Sequence, residues 1–225
     1  AERTLARSFC PEWNDVRIVR AMLALASAAL EADRDARISH VVFGTESCVP
    51  VVSLRDAARA FAAERRSWLD VHVAPPNRWL GAMQWGAVDR RVVPERAVRK
   101  ALPGWVALSR AHAAEIVALP SALGGDLWPA FERAFAPEEL YFATCLALIG
   151  ALGADAARDD EVARRSVTHA AYPPSAGEER AHPMRHDALD AALLARVRRE
   201  TPGCVLARKF SAALSVDEWA RAVLG

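Results

Sequence analysis

The 225-residue sequence lacks several features that would assign it to a common functional class. Its four cysteines include no C-x-x-C pair, which argues against a zinc ribbon or a dithiol redox centre. No run of about 18 apolar residues occurs, because the best candidate, residues 16–30, contains Arg17 and Arg20. Glycine-rich phosphate loops and serine nucleophile elbows are also absent. The sequence therefore predicts neither a membrane-spanning helix nor one of the familiar nucleotide-binding or hydrolase sites.

Neither sign of charge dominates the chain. It has 29 lysine and arginine residues against 28 acidic residues, a formal net charge of +1 at pH 7. This balance gives no global field that would attract nucleic acid or an anionic membrane, so any anion site must be a local cluster. The composition, 52% hydrophobic and 25% charged, is typical of a globular chain with a sizeable core. We expect a single domain over residues 1–225.

Helix and strand patterns alternate along the chain. An amphipathic pattern predicts a helix from Asn14 to about Asp33, and the apolar run Val41–Phe43 predicts a strand that is central and covered on both faces. Residues 77–104 show no clear periodicity and are interpreted as a long excursion. Further strands are expected within 67–76, 104–108, 164–170 and 203–210, and further helices within 53–66, 109–119, 126–135, 138–150, 187–200 and 215–224. The alternation predicts an α/β domain with a mainly parallel sheet flanked by helices.

Two adjacent carboxylates stand at the start of the helix expected over 138–150. Pro137 suits the first helical position, where its missing N–H costs nothing, and Glu138 and Glu139 then face the positive end of the helix dipole. Acidic residues are common in any first turn. Taken alone, the pair indicates a helix start.

Two basic pairs follow later in the chain, Arg164–Arg165 and Arg208–Lys209, each in an expected strand. Either pair alone is more often the solvated edge of a sheet. Strand ends of a parallel sheet face one edge, so we expect the pairs to lie near the two glutamates. Cations beside a carboxylate suit transfer from a diphosphate leaving group, because the cations stabilise the departing charge while the carboxylate takes a proton from the attacking hydroxyl.

Two short motifs suggest a metal, and neither is convincing. Asp33 and Asp35 form a D-x-D pair, but the pair precedes its strand, whereas ligands gather at the carboxyl ends of strands. His182 and His186 are separated by Pro183, and no nearby residue completes a ligand set. The sequence therefore predicts no metal site.

Several blocks resemble, in order, motifs of the core-2/I-branching enzymes and their plant and algal relatives. Residues 38–54 contain FGTESCVP, similar to F-x-x-x-S-E-S-C-I-P-L; residues 98–117 begin VRKALPGW, similar to W-R-K-G-S-Q-W; residues 137–146 read PEELYFATCL, similar to D-E-H-Y-F-x-T-x-L. The segments RRSVTHA, HP at 182–183 and CVLARKF follow in the family's order. The resemblance extends over residues 11–212.

This resemblance implies an inverting glycosyltransferase with a GT-A-type fold that works without a metal or other cofactor. Glu139 would be the general base, and Arg165 and Lys209 would bind the UDP phosphates. The acceptor side would be lined or supported by Arg99, Lys100, Trp105 and Tyr141. For the two aromatic residues, plain core packing is an equal alternative.

The same resemblance implies the substrates and the cellular setting. The donor would be a UDP-sugar of the N-acetylglucosamine, xylose or glucuronic acid type, and the acceptor a hydroxyl of a glycan or glycoprotein. Nucleic acid is not an expected partner. The full-length protein would be a type II membrane protein facing the Golgi lumen, with its anchor outside this chain.

The sequence departs from the family pattern at three places, which leave other interpretations open. Residues 101–104 replace glycine-serine-glutamine, and Glu138 and Leu140 replace the aspartate and histidine of D-E-H, so the acceptor is not specified. The family's strand, helix and strand before Pro11 have no counterpart, and we expect an N-terminally truncated domain. One alternative is a non-catalytic remnant that binds glycans or protein partners. Another is an unrelated α/β module.

Overall fold

The computed structural model describes residues 4–75, 77–153, 161–172 and 183–224. Within them the chain forms seven α-helices and seven β-strands. The helices are α1 (Arg17–Ala32), α2 (Leu54–Ala63), α3 (Arg78–Met83), α4 (Arg110–Leu123), α5 (Pro137–Leu148), α6 (Ala191–Glu200) and α7 (Val216–Leu224). The strands are β1 (His40–Val42), β2 (Val49–Pro50), β3 (Ser67–His72), β4 (Lys100–Ser109), β5 (Val162–Ala163), β6 (Thr168–Ala170) and β7 (Leu206–Arg208).

Helix starts follow directly from local sequence. The Ser53 side chain accepts a hydrogen bond from Asp56 N at the start of α2, and Ser109 accepts one from His112 N at the start of α4. Before α7, Ser215 N donates to Glu218 Oε2 over 3.0 Å. Glu218 N donates back to Ser215 Oγ over 3.2 Å, which completes the capping box. These contacts confirm the predicted starts of the three helices.

The strands form two mixed sheets, which corrects the expectation of a mainly parallel sheet. One sheet has the order β1-β4-β3-β5 and the other the order β2-β7-β6. Of the five described pairings, β3 with β5 and β6 with β7 are parallel and the other three are antiparallel. Strands β1, β3 and β5 do share one direction, as alternation with helices favours. Strand β4 inserts between β1 and β3 in the opposite direction, and that long-range pairing leaves no local signal.

The strand expected at Val41–Phe43 exists, but it is not central. In the described sheet β1 occupies one end of the strand order, with Val41 and Val42 only half-buried, while Phe43 is buried. The central position belongs to the ten-residue β4, whose Val106 and Leu108 are fully buried. An apolar run predicts a strand that other elements cover, and it carries no information on where in the sheet the strand pairs.

Residues 77–104 contain more regular structure than predicted. Asn77 Oδ1 accepts a hydrogen bond from Leu80 N over 2.8 Å and caps the six-residue α3. Two 3₁₀ turns follow at Trp85–Ala87 and Glu95–Ala97, and β4 already begins at Lys100. Elements this short show too few periods for a pattern to be recognised. Conversely, the helix expected over 126–135 is only a 3₁₀ turn at Trp128–Phe131.

The main core lies between the larger sheet and the helices α1, α4 and α5. Helix α5 is apolar on nearly every side, because it packs on β4 and also contacts α1 and α4. A second, smaller cluster lies beneath α6 and α7 against the three-stranded sheet. The packing of α5 on β4 places the first turn of α5 beside the start of β4.

None of the described helices has the length and apolar character needed to cross a bilayer. The four cysteines, all within the described residues, carry free thiols.

Candidate active site

Side chains from three elements and from the residue after α3 meet where α5 begins. Glu138 and Glu139 lie in the first turn of α5, as predicted, and Lys100 is the first residue of β4. Gln84 directly follows α3, and Arg208 is the last residue of β7. The group therefore combines two carboxylates, two cations and one amide.

Glu139 is held through one of its two carboxylate oxygens. Lys100 Nζ lies 2.7 Å from Glu139 Oε2, and Gln84 Nε2 donates to the same oxygen over 2.9 Å. Lys100 Nζ also donates to Gln84 Oε1 over 3.0 Å. Lys100 is 3% exposed and Gln84 is fully buried, whereas the Glu139 side chain keeps 18% exposure. Within the described part of the chain, no hydrogen bond reaches Glu139 Oε1.

Local backbone geometry brings these groups together. Ala136 adopts the left-handed conformation (φ 47°, ψ 61°), and its N–H donates to the Asn14 side chain. Pro137 then begins α5, and Glu139 N donates to Ala136 O over 3.0 Å. Phe135 N donates to the carbonyl of Met83 over 2.8 Å, which joins the entry of α5 to the end of α3. This link places the residue after α3 against the first turn of α5.

Glu138 does more than open the helix. Its Oε2 is buried and has no hydrogen-bond partner among the described residues. Burial and the neighbouring charge of Glu139 raise the pKa of Glu138 to about 7, against smaller opposite effects of Arg208 and Lys100. Glu138 therefore holds its proton more tightly than an ordinary glutamate does, and its carboxyl titrates near neutral pH.

Arg208 lies near Glu138, whose pKa its charge lowers, and it stacks on a buried aromatic ring. Its guanidinium carbon lies 5.1 Å from the centroid of the Trp105 ring. In parallel pairing Arg208 stands opposite Ala170, two residues before Tyr172. Burial and the charge of Glu139 raise the pKa of Tyr172, whereas Arg208 lowers it. Arg208 and Tyr172 thus border the same site.

The two residues expected to bind phosphate lie in different settings. Lys209 is exposed, and its described contacts are backbone ones, including His186 N to Lys209 O over 2.8 Å. Arg165 Nη2 donates to Gly203 O over 2.8 Å, and its guanidinium carbon lies 4.1 Å from the Trp68 ring centroid. Among the described residues, no ion pair joins either cation to Glu139.

The four acceptor-side candidates separate into two groups. Lys100 and Trp105 border the site described above. Arg99 is 4% exposed, and its Nη1 donates to the carbonyls of Arg96 and Val98 over 2.7 and 2.9 Å. Tyr141 is fully buried and packs edge-on against Phe131 and Phe142, both at 5.3 Å. For Tyr141 the structure supports the core-packing alternative.

Two members of the site were missed by sequence reasoning, Gln84 and Arg208. Gln84 lies 55 residues before Glu139 in a segment without clear periodicity, so no local pattern indicated it. Arg208 was noticed only as half of a basic pair. The sequence held no signal that separates Arg208 from Lys209, because β7 ends at Arg208 and the alternation of side chains along a strand does not extend to Lys209.

The D-x-D pair lies at the end of α1, and its first carboxylate is already occupied. Asp33 accepts hydrogen bonds from Arg37 N, Ile38 N and Arg110 Nε over 2.8, 3.0 and 3.3 Å. Among the described residues, no group of three or more His, Cys, Asp or Glu could hold a metal ion. His182 lies outside the described residues.

The arrangement can accept a proton beside positive charge. Glu139 has a partly exposed side chain with Oε1 uncommitted among the described residues, and Lys100 and Arg208 supply cations close to the two glutamates. Such a group can deprotonate a hydroxyl that attacks an electrophilic carbon.

Comparison with known proteins identifies a family. The family model described as Core-2/I-Branching enzyme matches residues 2–198, which is most of the chain and includes Glu139, Lys100 and Gln84. Arg208 and Lys209 lie after the matched range. No curated protein matches the chain.

Proposed function

The chain belongs to the core-2/I-branching enzyme family of glycosyltransferases, and from this premise we propose that it transfers a sugar from a UDP-sugar to a hydroxyl of a glycan or glycoprotein, with inversion. The donor sugar is N-acetylglucosamine, xylose or glucuronic acid, and the domain is of the GT-A type. The observation that carries the proposal is Glu139, held through Oε2 by Lys100 and Gln84 with Oε1 uncommitted in the described residues.

In the proposed reaction Glu139 is the general base. Its carboxylate takes the proton of the acceptor hydroxyl while the acceptor oxygen forms a bond to C1 of the sugar. The bond between C1 and the diphosphate breaks, and UDP leaves with the electron pair. Because attack and departure occur on opposite faces of C1, the configuration inverts.

Cations stabilise the charge that develops on the departing diphosphate. We propose Lys209 and Arg165 for this role. The exposed position of Lys209 supports it, since solvent access leaves the residue open to a ligand. Arg165 would keep its contact with Gly203 O and offer its remaining donors.

One alternative has support from particular contacts. A non-catalytic family member that binds glycans or protein partners is favoured by the ion pair of Glu139 with the buried Lys100 and by the contact of Arg165 with a backbone carbonyl. Both contacts would serve structure equally well. Activity measurements distinguish the two functions.

The experiment is an assay of UDP release and product formation by the full-length protein. UDP-N-acetylglucosamine, UDP-xylose and UDP-glucuronic acid are offered with a panel of glycan and glycopeptide acceptors. The proposal expects acceptor-dependent transfer from one donor, and an anomeric configuration opposite to that of the donor. Glycan binding without transfer from any donor would favour the non-catalytic alternative.

Transfer should persist in EDTA. We propose that basic side chains replace the metal that many nucleotide-sugar enzymes use, and the occupied carboxylate of Asp33 supports this because it already accepts three hydrogen bonds. The rate is measured before and after chelation and again after addition of Mn²⁺. Loss of activity in EDTA with recovery in Mn²⁺ would contradict the proposal.

Lys209→Ala should weaken UDP binding by about tenfold. This is the lower end of the range that a charge-assisted hydrogen bond contributes to affinity, as suits an exposed site. Turnover should fall as well, because the contact strengthens as the leaving group gains charge. Isothermal titration with UDP measures the first effect. Arg199→Ala, which removes an exposed cation from α6, is the matched control and should bind UDP like the parent. Equal affinity of Lys209→Ala and the parent would remove Lys209 from the donor site.

The usual cellular location of the family supports a proposal about where the full-length protein is found. The full-length protein is a type II membrane protein that faces the Golgi lumen. Co-fractionation of the tagged full-length protein with Golgi markers, and protection from protease until detergent is added, test this placement.

A further inference from the structure

Glu139, Lys100 and Gln84 form a closed network of three contacts. Oε2 of Glu139 faces both Lys100 Nζ at 2.7 Å and Gln84 Nε2 at 2.9 Å, and Lys100 Nζ donates to Gln84 Oε1 over 3.0 Å. A lysine ammonium has donors only, so it faces the oxygen of the Gln84 amide. The amide nitrogen must then face Glu139. Each contact fixes the orientation of the other two groups.

We infer that Lys100 and Gln84 are positioning residues for the general base: they hold Oε2 of Glu139 and so direct Oε1 to the acceptor hydroxyl. This inference rests on the proposed function. It also gives Lys100 a role different from the acceptor contact expected from its motif.

A stabilising role does not by itself require polar groups at these positions. Lys100 is 3% exposed and Gln84 fully buried, so both polar groups have been removed from water. Apolar side chains of similar volume in place of a buried ion pair are often neutral or stabilising. An ion pair of this kind can hold a catalytic carboxylate in one orientation. Such precision matters, because a misplacement of about 1 Å in a reacting group can cost about 10²-fold in rate.

The network also decides which oxygen receives the proton. Oε2 already accepts from two donors, and protonation there would force one of them away. Oε1 has no such contact within the described residues. The acceptor O–H bond therefore breaks as its proton moves to Oε1, the acceptor oxygen bonds to C1, and the bond from C1 to the diphosphate breaks as UDP takes the electron pair.

The test uses methionine, which approximates the volume of both side chains without their polar groups. In the full-length protein, Lys100→Met and Gln84→Met should each lower kcat by about 10- to 100-fold and leave KM for the UDP-sugar unchanged. Lys100→Arg retains charge and donors and should recover part of the loss. The control is Thr144→Val in α5, the helix that also carries Glu139. It removes the buried hydrogen bond that Arg99 N donates to Thr144 Oγ1, and it should lower the melting temperature without changing kcat.

A second arm separates positioning from a merely structural role. In the Glu139→Gln background there is no base to position, so adding Lys100→Met should lower kcat no further. If Gln84→Met does not fold, the isosteric Gln84→Glu keeps the acceptor for Lys100 and loses the donor to Glu139, and it should lower kcat.

The outcomes distinguish the positioning role from the proposed function. If the parent transfers sugar while the substitutions at Lys100 and Gln84 leave kcat unchanged, or lower it by the same factor in the Glu139→Gln background, the positioning role is overturned and the proposed function stands. If the parent transfers no sugar, the proposed function is overturned and the positioning role falls with it.

Discussion

Glu139→Gln is expected to lower turnover of the full-length protein by about 10²- to 10⁴-fold, the range for loss of a general base. The amide has the shape of the carboxylate, and its carbonyl oxygen can still accept from Lys100 and Gln84. The amide is too weak a base to take the proton of the acceptor hydroxyl. UDP affinity should be unchanged, because the base acts on the acceptor and not on the diphosphate.

The substitution also removes a negative charge beside the buried Lys100. Part of this loss is compensated locally, because the charge of Glu139 is one cause of the raised pKa of Glu138. With Glu139 neutral, Glu138 ionises more readily and balances Lys100. The variant should therefore remain folded, with some loss of stability.

The measurement combines kcat at saturating donor with isothermal titration by UDP. Glu132→Gln, which removes an exposed negative charge just before α5, is the matched control and should retain the parent's turnover. Turnover of Glu139→Gln within a few-fold of the parent would leave Glu139 as a helix-start residue. A large loss of UDP affinity in this variant would place Glu139 on the donor side instead.

The features predicted correctly from sequence are those that adjacent residues determine. Pro137 followed by two carboxylates predicts a helix start, and Ser53 and Ser109 predict caps, because each signal lies within four residues of the backbone group that it satisfies. The placement of Glu139 in the first turn of α5 followed from this local chemistry.

The features that escaped prediction depend on pairing between distant segments. Helix and strand alternation predicted the common direction of β1 and β3, but not the insertion of β4 between them. Gln84 reaches Glu139 only because Phe135 N binds Met83 O, a contact between two irregular segments. The proposed base was therefore accessible from sequence motifs, whereas the side chains that hold it required the fold.

The second large effect is expected on the free energy of unfolding, through the titration of Glu138. The pKa of this carboxyl is raised to about 7 from 4.5, chiefly by burial. The folded protein therefore binds this proton more tightly than the unfolded chain does. The resulting stabilisation is fully present below about pH 4.5 and is lost as pH rises through 7, since the folded state must then keep a buried charge. The shift corresponds to about 3 kcal/mol of unfolding free energy.

Glu138→Gln removes this titration and keeps the side-chain shape. Relative to the parent, the variant should gain little at pH 5 and about 3 kcal/mol at pH 8. Urea unfolding of both proteins at pH 5, 6, 7 and 8 gives the difference directly. The difference is the informative quantity, because burial lowers the pKa of His40, His169 and His186, which makes both proteins more stable as pH rises. Glu132→Gln should show no pH-dependent difference from the parent. A gain for Glu138→Gln that is equal at all four pH values would mean that Glu138 titrates as an ordinary carboxyl, and that the buried charge beside Glu139 is balanced by Lys100 and Arg208 at every pH.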